Sequence, residues 1–251
     1  STASETRFNP VLSARNEYNP VTNNNLITNT YLEYKFATDF TLRVTGGLTK
    51  GWLRRDIFNN TNTRYGSPIT IQGRDNGMNG SIYNTEALSL LNENTLTYTK
   101  KLKNHSLTAL GGFTMQKNTS FNYGFSTVKV PNASLGLSGL DEGVPNTNSS
   151  ASSLNGLASF LGRVNYNYKS KYFLTASFRA DGSSKFATGN KWAYFPSGSL
   201  AWRLKNEPFF KSPSLAFVND AKLRVGYGAT GNNRVPDFAY RNTLAVSGFG
   251  Y

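Results

Sequence analysis

Apolar side chains recur at every second position over much of the chain, which is the period of a β-strand with two unlike faces. The first run contains Leu32, Tyr34 and Phe36. Seven later runs have the same period and begin at Phe40, Leu96, Leu107, Ala158, Tyr172, Pro196 and Ala221. We predict about eight strands of roughly 9–11 residues, a length that crosses a bilayer when the strands are tilted.

Three short turns join consecutive runs in a register that keeps their apolar faces continuous. Turns at 37–39, 169–171 and 103–106 would pair Phe36 with Phe40, Tyr168 with Tyr172, and Leu102 with Leu107. Residues directly opposite each other in an antiparallel pair point to the same face, and a slip of one residue would break the match. We therefore interpret all three as β-hairpins.

The lengths of the connections distinguish between two all-β architectures. The face opposite the apolar one is polar, and it would meet water outside a soluble sandwich or line the lumen of a membrane barrel. Gly51–Glu93 and Lys117–Leu157 are long, Asp181–Tyr194 is intermediate, and the connections between them along the chain are short turns. Outer-membrane barrels separate short periplasmic turns from long extracellular loops, so this alternation favours a barrel.

Aromatic side chains near the strand ends fit the interfacial girdles of such a barrel. They are Tyr31, Tyr34, Phe36, Tyr166, Tyr168, Tyr172 and Trp202. The connection Lys205–Asp220 also contains prolines and aromatic residues, and it predicts a compact turn with one helical turn.

The strong positive charge raises nucleic acid as a possible partner. The 251 residues carry 27 Lys+Arg against 14 Asp+Glu, a formal net charge of +13. A stacking platform for nucleic acid places aromatic rings and cations on one face, whereas here they alternate onto opposite faces. We predict no nucleic-acid partner and interpret the cations as solvated positions along the strands.

Groups suited to catalysis or metal binding are few. Cysteine is absent, which excludes disulfides, thiolate metal sites and a cysteine nucleophile. His105 is the only histidine, so a multi-His metal site is excluded in this segment. Asp141 and Glu142 are sequence neighbours in a loop, and Gly226–Gly231 matches a dinucleotide loop in letters but has no helical pattern after it. We predict no enzymatic activity, no cofactor and no metal.

Three stretches together resemble a known family. They are Phe178–Phe186 (FRADGSSKF), Tyr194–Arg203 (YFPSGSLAWR) and Leu223–Asn232 (LRVGYGATGN). In this order and spacing they resemble the mid-barrel region of the SusC/RagA-type TonB-linked outer-membrane transporters of the Bacteroidota. Upstream, Asn9-Pro10 and Asn19-Pro20 followed by Tyr31–Tyr34 look like the approach to an earlier strand of the same family.

The resemblance implies more than the residues show. The family's barrel has about 22 strands and a plug in its lumen. Residues 1–251 would then be one part of the barrel domain, in a chain that continues on both sides, and its strands would form an open curved sheet. The plug and the TonB box would lie outside this segment.

The resemblance also implies a function and partners. The family imports glycans or peptides across the cell outer membrane, driven by TonB–ExbB–ExbD, and a SusD-type surface lipoprotein caps it. The partners would then be this lipoprotein, the TonB complex, outer-membrane lipid and a nutrient ligand. Two alternatives stay open: a passive porin or structural barrel, and a soluble sandwich that binds sugar or nucleic acid.

Substrate contacts in such a transporter would combine aromatic platforms with a few polar groups. By their positions in predicted loops, five residues are candidates for substrate binding: Trp52, Arg74, Tyr83, Trp192 and Tyr194. The sequence leaves the identity of the substrate open.

Overall fold

One eight-stranded sheet dominates the computed structural model, which describes residues 8–212, 217–237 and 239–241. The strands are β1 Val21–Phe36, β2 Phe40–Asn59, β3 Asn79–Leu102, β4 His105–Val128, β5 Val144–Tyr168, β6 Tyr172–Ser183, β7 Trp192–Arg203 and β8 Lys222–Gly228. Their spatial order follows the chain from β1 to β8, so the sheet is a meander with β1 and β8 at its two edges. The predicted all-β, antiparallel, open sheet of about eight strands is confirmed.

Four strands are about twice as long as the sequence predicts. β2, β3, β4 and β5 contain 20, 24, 24 and 25 residues. The two long connections shrink accordingly to 60–78 and 129–143, and the intermediate one to 184–191. The added segments of β3, β4 and β5 carry Asn, Ser, Thr and Gly on both faces, a composition typical of loops. Backbone hydrogen bonding between strands does not depend on those side chains, so the apolar alternation underestimates the lengths of the strands.

The short turns follow the predicted register with one exception. Tyr168 is directly opposite Tyr172, as predicted, and the rings of Phe36 and Phe40 stack with centroids 5.4 Å apart. The predicted turn at 103–106 is wrong, because β3 ends at Leu102 and β4 begins at His105. The shift is two residues, which leaves Leu107 on the same face as Leu102.

Short helices occupy the connections. α1 Pro10–Asn16 begins after Asn9, whose side chain accepts hydrogen bonds from two backbone N–H groups of the first turn. α2 Ile71–Asn76 is capped in the same way by Thr70. The predicted helical turn within Lys205–Asp220 is present as two 3-10 segments, Leu204–Asn206 and Pro208–Lys211, and a third spans Ala133–Glu142. None of the described helices is both long and apolar enough to cross a membrane.

The chain divides into two compact units. The first comprises Ser1–Ile27, Thr49–Ser89 and Asn118–Leu154, and the second comprises Thr28–Leu48, Leu90–Lys117 and Asn155–Tyr251. The described part of the first unit has a small buried core of Phe58, Val130 and Leu140, against which Met78, Ile82 and Leu137 pack. In the second unit most large apolar side chains are exposed instead, and their arrangement defines the two faces described next.

Candidate functional site

The apolar face of the second unit is continuous across its strands. The register from β5 to β8 aligns Val164 with Ala176, Gly198 and Tyr227 in one row, because each pair is directly opposite. Several members of this face are exposed, with Leu200 at 63%, Val225 at 67% and Tyr227 at 85%. A contiguous apolar surface of this kind is not stable against water and requires an apolar environment.

The polar face of the same strands is joined by side-chain hydrogen bonds. Ser177 and Ser197 are directly opposite, and their hydroxyl oxygens are 2.7 Å apart. In the next row the Thr175 hydroxyl donates to the Asn165 amide oxygen over 2.9 Å. A sheet with one polar and one exposed apolar face has the construction of a membrane barrel wall.

Cations are concentrated on this polar face. The Arg43 guanidinium lies 4.0 Å from the centroid of the Tyr31 ring, and Lys222 lies 4.5 Å from that of Phe173. Tyr31 therefore belongs to the polar face, and the prediction that it forms part of a girdle is wrong. Its strand begins at Val21, eleven residues before the predicted run that starts at Leu32, and Arg43 covers its ring.

A third cation on this face, Arg179, is held in place by a carboxylate. Arg179 donates to both carboxylate oxygens of Asp181, over 2.7 and 2.9 Å, and to the buried hydroxyl of Ser159 over 3.2 Å. Asp181 comes from the stretch FRADGSS, whose Asp, Gly and Ser resemble a loop in sequence. In the structure, β6 continues to Ser183, so Asp181, Gly182 and Ser183 are strand residues and the turn begins at Ser184.

Two predicted substrate contacts lie on the apolar face and in a strand rather than a loop. Trp192 is opposite Gly182, and Tyr194 is opposite Ala180. The Trp192 ring stacks on Phe160 with centroids 5.9 Å apart. A Cβ added at Gly182 would lie 2.9 Å from the Trp192 ring, so glycine provides the space for the indole. Both aromatic residues are exposed, at 46% and 61%.

The other three predicted contacts lie in the first unit and have different partners. Trp52 is in β2, where Lys50 lies 5.3 Å from its ring centroid and pairs with Glu86 at 3.1 Å. Tyr83 is in β3, and its ring covers Gly124, where an added Cβ would lie 2.4 Å from the Tyr83 Cδ1 atom. Arg74 is in the last turn of α2, within the connection 60–78. Trp52 and Tyr83 are thus strand residues, and their predicted loop positions are wrong.

A buried carboxylate at the short-turn end is a cluster that the sequence does not reveal. Glu207 accepts hydrogen bonds from Lys171 over 2.8 Å, from Trp202 over 3.1 Å and from Tyr172 over 2.9 Å. These donors, Lys171 first, then Trp202 and Tyr172, lower the pKa of Glu207 to about 2. The only trace of this cluster in the sequence is that Glu207 follows two strand ends whose side chains can donate hydrogen bonds, at Lys171-Tyr172 and at Trp202.

The Glu207 cluster connects two turns. Lys171 comes from the β5–β6 turn and Tyr172 is the first residue of β6, whereas Glu207 comes from the β7–β8 connection. Asn206 adds a hydrogen bond from its amide to the backbone carbonyl of Ser170, over 2.9 Å. Within the described residues, no group of three or more His, Asp or Glu side chains could hold a metal ion.

Comparisons with known proteins agree with this construction. No protein-family model matches the chain. The TonB-dependent receptor P26 of Formosa agariphila is 30% identical over 241 residues, covering 94% of this chain and 23% of the receptor. The TonB-dependent receptor SusC of Bacteroides thetaiotaomicron is 42% identical over 94 residues, covering 37% of this chain and 9% of SusC. The chain belongs to the SusC/RagA-type TonB-dependent receptors.

A solved structure shows the fold independently. The structure of the RagAB peptide transporter superimposes with a TM-score of 0.77 at 21% identity, covering 90% of this chain and 24% of that chain. The chain thus spans about a quarter of the length of the P26 receptor and of the RagAB chain. As a SusC/RagA-type segment, the meander with edges at β1 and β8 is part of a larger β-barrel.

Proposed function

We propose that the protein of which this chain is part is a TonB-dependent outer-membrane transporter that imports a nutrient, either a glycan or a peptide. All 251 residues would contribute barrel wall, lumen lining and extracellular segments. One observation carries the proposal: in the second unit the same strands have an exposed apolar face and a hydrogen-bonded polar face. The apolar face meets lipid and the polar face lines the lumen.

The proposed partners follow from the family. A SusD-type lipoprotein caps the transporter at the cell surface, and the TonB complex supplies energy through parts of the protein outside this segment. Both curated relatives are named TonB-dependent receptors, and the structural relative is named a peptide transporter, which supports transport. Neither glycan nor peptide is favoured by a specific contact in the described residues.

The proposed substrate contacts divide according to position. Trp52, Arg74 and Tyr83 remain candidates for substrate binding, because two aromatic rings and a guanidinium are suited to a polar ligand. Trp192 and Tyr194 are proposed instead as interface anchors, because both lie on the apolar face beside Phe160 and Phe178.

The test uses the native organism and its full-length gene. A deletion strain is grown on a panel of single glycans and on peptides, and each growth defect is complemented with the gene. We expect loss of growth on one nutrient class, and the same loss when TonB is deleted. If growth fails without the gene but persists without TonB, the protein is a passive porin. If the native protein fractionates with soluble proteins, the membrane placement is wrong.

A further inference from the structure

The short-turn end of the second unit carries a row of aromatic rings on the apolar face. Tyr168, Tyr172 and Trp202 follow one another across β5, β6 and β7, with ring centroids 6.4 and 6.3 Å apart. Phe209 contacts the edge of the Trp202 ring with a centroid distance of 6.3 Å and is itself exposed. Rings in such a row are suited to the level of lipid headgroups.

Three lysines lie at the same end. The Lys169 ammonium lies 5.2 Å from the Tyr168 ring centroid, and that of Lys205 lies 5.8 Å from the Phe210 centroid. The Lys169 backbone N–H donates to the Asn104 carbonyl over 2.7 Å, which places the turn that contains Lys103 beside Lys169. We call Lys103, Lys169 and Lys205 the lysine cluster.

The carboxylates at this end are paired with other cations. Glu207 pairs with Lys171, Asp39 with Lys100, and Asp220 with Arg203. Within the described residues, no carboxylate lies within ion-pair distance of any member of the lysine cluster. The cluster therefore carries positive charge without an ion-pair partner in the described part of the chain, and its member Lys169 lies beside the Tyr168 ring of the aromatic row.

An apolar groove of about 690 Å³ begins at that row. Its walls include Tyr172, Leu174, Leu200, Trp202, Leu223 and Val225. The groove and the cluster together complement a molecule with a negative head and an apolar tail.

We propose that the lysine cluster binds the phosphate of an anionic phospholipid whose acyl chain lies in this groove. The proposal rests on the membrane placement proposed above. Short turns lie at the periplasmic end of outer-membrane barrels, so the lipid would come from the periplasmic leaflet. A basic residue near a lipid surface contributes about 1 kcal/mol, or roughly fivefold in affinity, for an anionic headgroup.

The test uses the full-length transporter reconstituted in phosphatidylcholine nanodiscs with and without phosphatidylglycerol. Native mass spectrometry then counts the phosphatidylglycerol molecules retained after extraction. We expect wild type to retain this lipid, and the combined variant Lys103→Gln, Lys169→Gln and Lys205→Gln to bind it at least about tenfold more weakly. The variant Lys103→Arg, Lys169→Arg and Lys205→Arg keeps the three positive charges and should bind phosphatidylglycerol as wild type does.

A matched control removes three exposed lysines from other parts of the chain: Lys117→Gln, Lys129→Gln and Lys191→Gln. The proposal is overturned if this control loses the lipid equally, or if the cluster variant retains it. Displacement of the lipid by inorganic phosphate alone would also overturn it, because the site would then bind a free anion. A wild-type protein that reconstitutes without preferring phosphatidylglycerol contradicts this inference only, whereas failure to enter any bilayer contradicts the proposed function.

Discussion

Glu207 shows how a single residue fixes the short-turn end of the wall. Its carboxylate is buried and receives three donors, two of them from aromatic residues at the ends of neighbouring strands. A buried carboxylate without donors would be strongly destabilising, so the side chain and its partners act as a unit. The aromatic row keeps its position because two of its members are anchored to this carboxylate.

The pH dependence of this anchor has a definite sign. The pKa of Glu207 is lowered from its ordinary value of 4.5 to about 2. Its stabilising effect is therefore fully present above about pH 4.5 and is lost as the pH falls through 2. We predict that Glu207→Gln lowers the Tm of the full-length protein at pH 7, and that this difference shrinks steadily between pH 4.5 and pH 2.

The measurement is thermal unfolding in detergent, followed by tryptophan fluorescence. The control Glu142→Gln removes an exposed carboxylate from the 3-10 segment Ala133–Glu142 and should leave the Tm unchanged. A Tm difference for Glu207→Gln that stays constant over the whole pH range would show that the carboxylate's charge does not contribute.

At the scale of the element, the side chains of each strand alternate between a polar face and an apolar face. In β5, Arg163 and Asn165 lie on the polar face, and Val164 between them lies on the apolar face. We predict that Val164→Arg destabilises the full-length protein by about 2–4 kcal/mol, the cost of an arginine near the bilayer midplane. Asn165→Arg, one residue away, should cost far less, since the lumen face already holds arginines.

The measurement is the free energy of unfolding from urea titrations of the protein in phospholipid vesicles, compared between the two variants and wild type. Equal destabilisation by both arginines would mean that the two faces of β5 do not differ in environment.

The sequence predicts some properties of these elements and not others, for physical reasons. Alternation and turn length establish the strand count and the pairing of Tyr168 with Tyr172, because both depend on side-chain period. The ends of β3, β4 and β5 are not predictable in this way, since Asn, Ser and Thr on both faces leave no period to detect. The loop assignment of Tyr83 in β3 failed for that reason. Trp52 in β2 and Trp192 and Tyr194 in β7 lie in strand segments outside the apolar runs that alternation detects. The Glu207 cluster joins residues 36 positions apart, and no local pattern encodes such a contact.

At the scale of the whole molecule, the charge and the apolar surface have one explanation. The net charge of +13 coexists, in the second unit, with arginines on one face and exposed apolar residues on the other. In the proposed barrel wall, the arginines of the polar face would meet the aqueous lumen, while the leucine, valine and aromatic residues of the apolar face would meet lipid. The edges of the meander are then the seams along which the remaining strands of the barrel pair.

The most direct test of this account is the contact of each face with lipid in the full-length protein. Single variants Leu174→Cys and Thr175→Cys, neighbours on opposite faces of β6, are labelled with a small fluorophore in a cysteine-free background. After reconstitution, quenching by spin-labelled lipid and by a water-soluble quencher is measured for each. We predict that lipid quenches the label at position 174 and that the water-soluble reagent quenches the label at 175. Equal quenching of both positions by the water-soluble reagent would contradict the membrane wall.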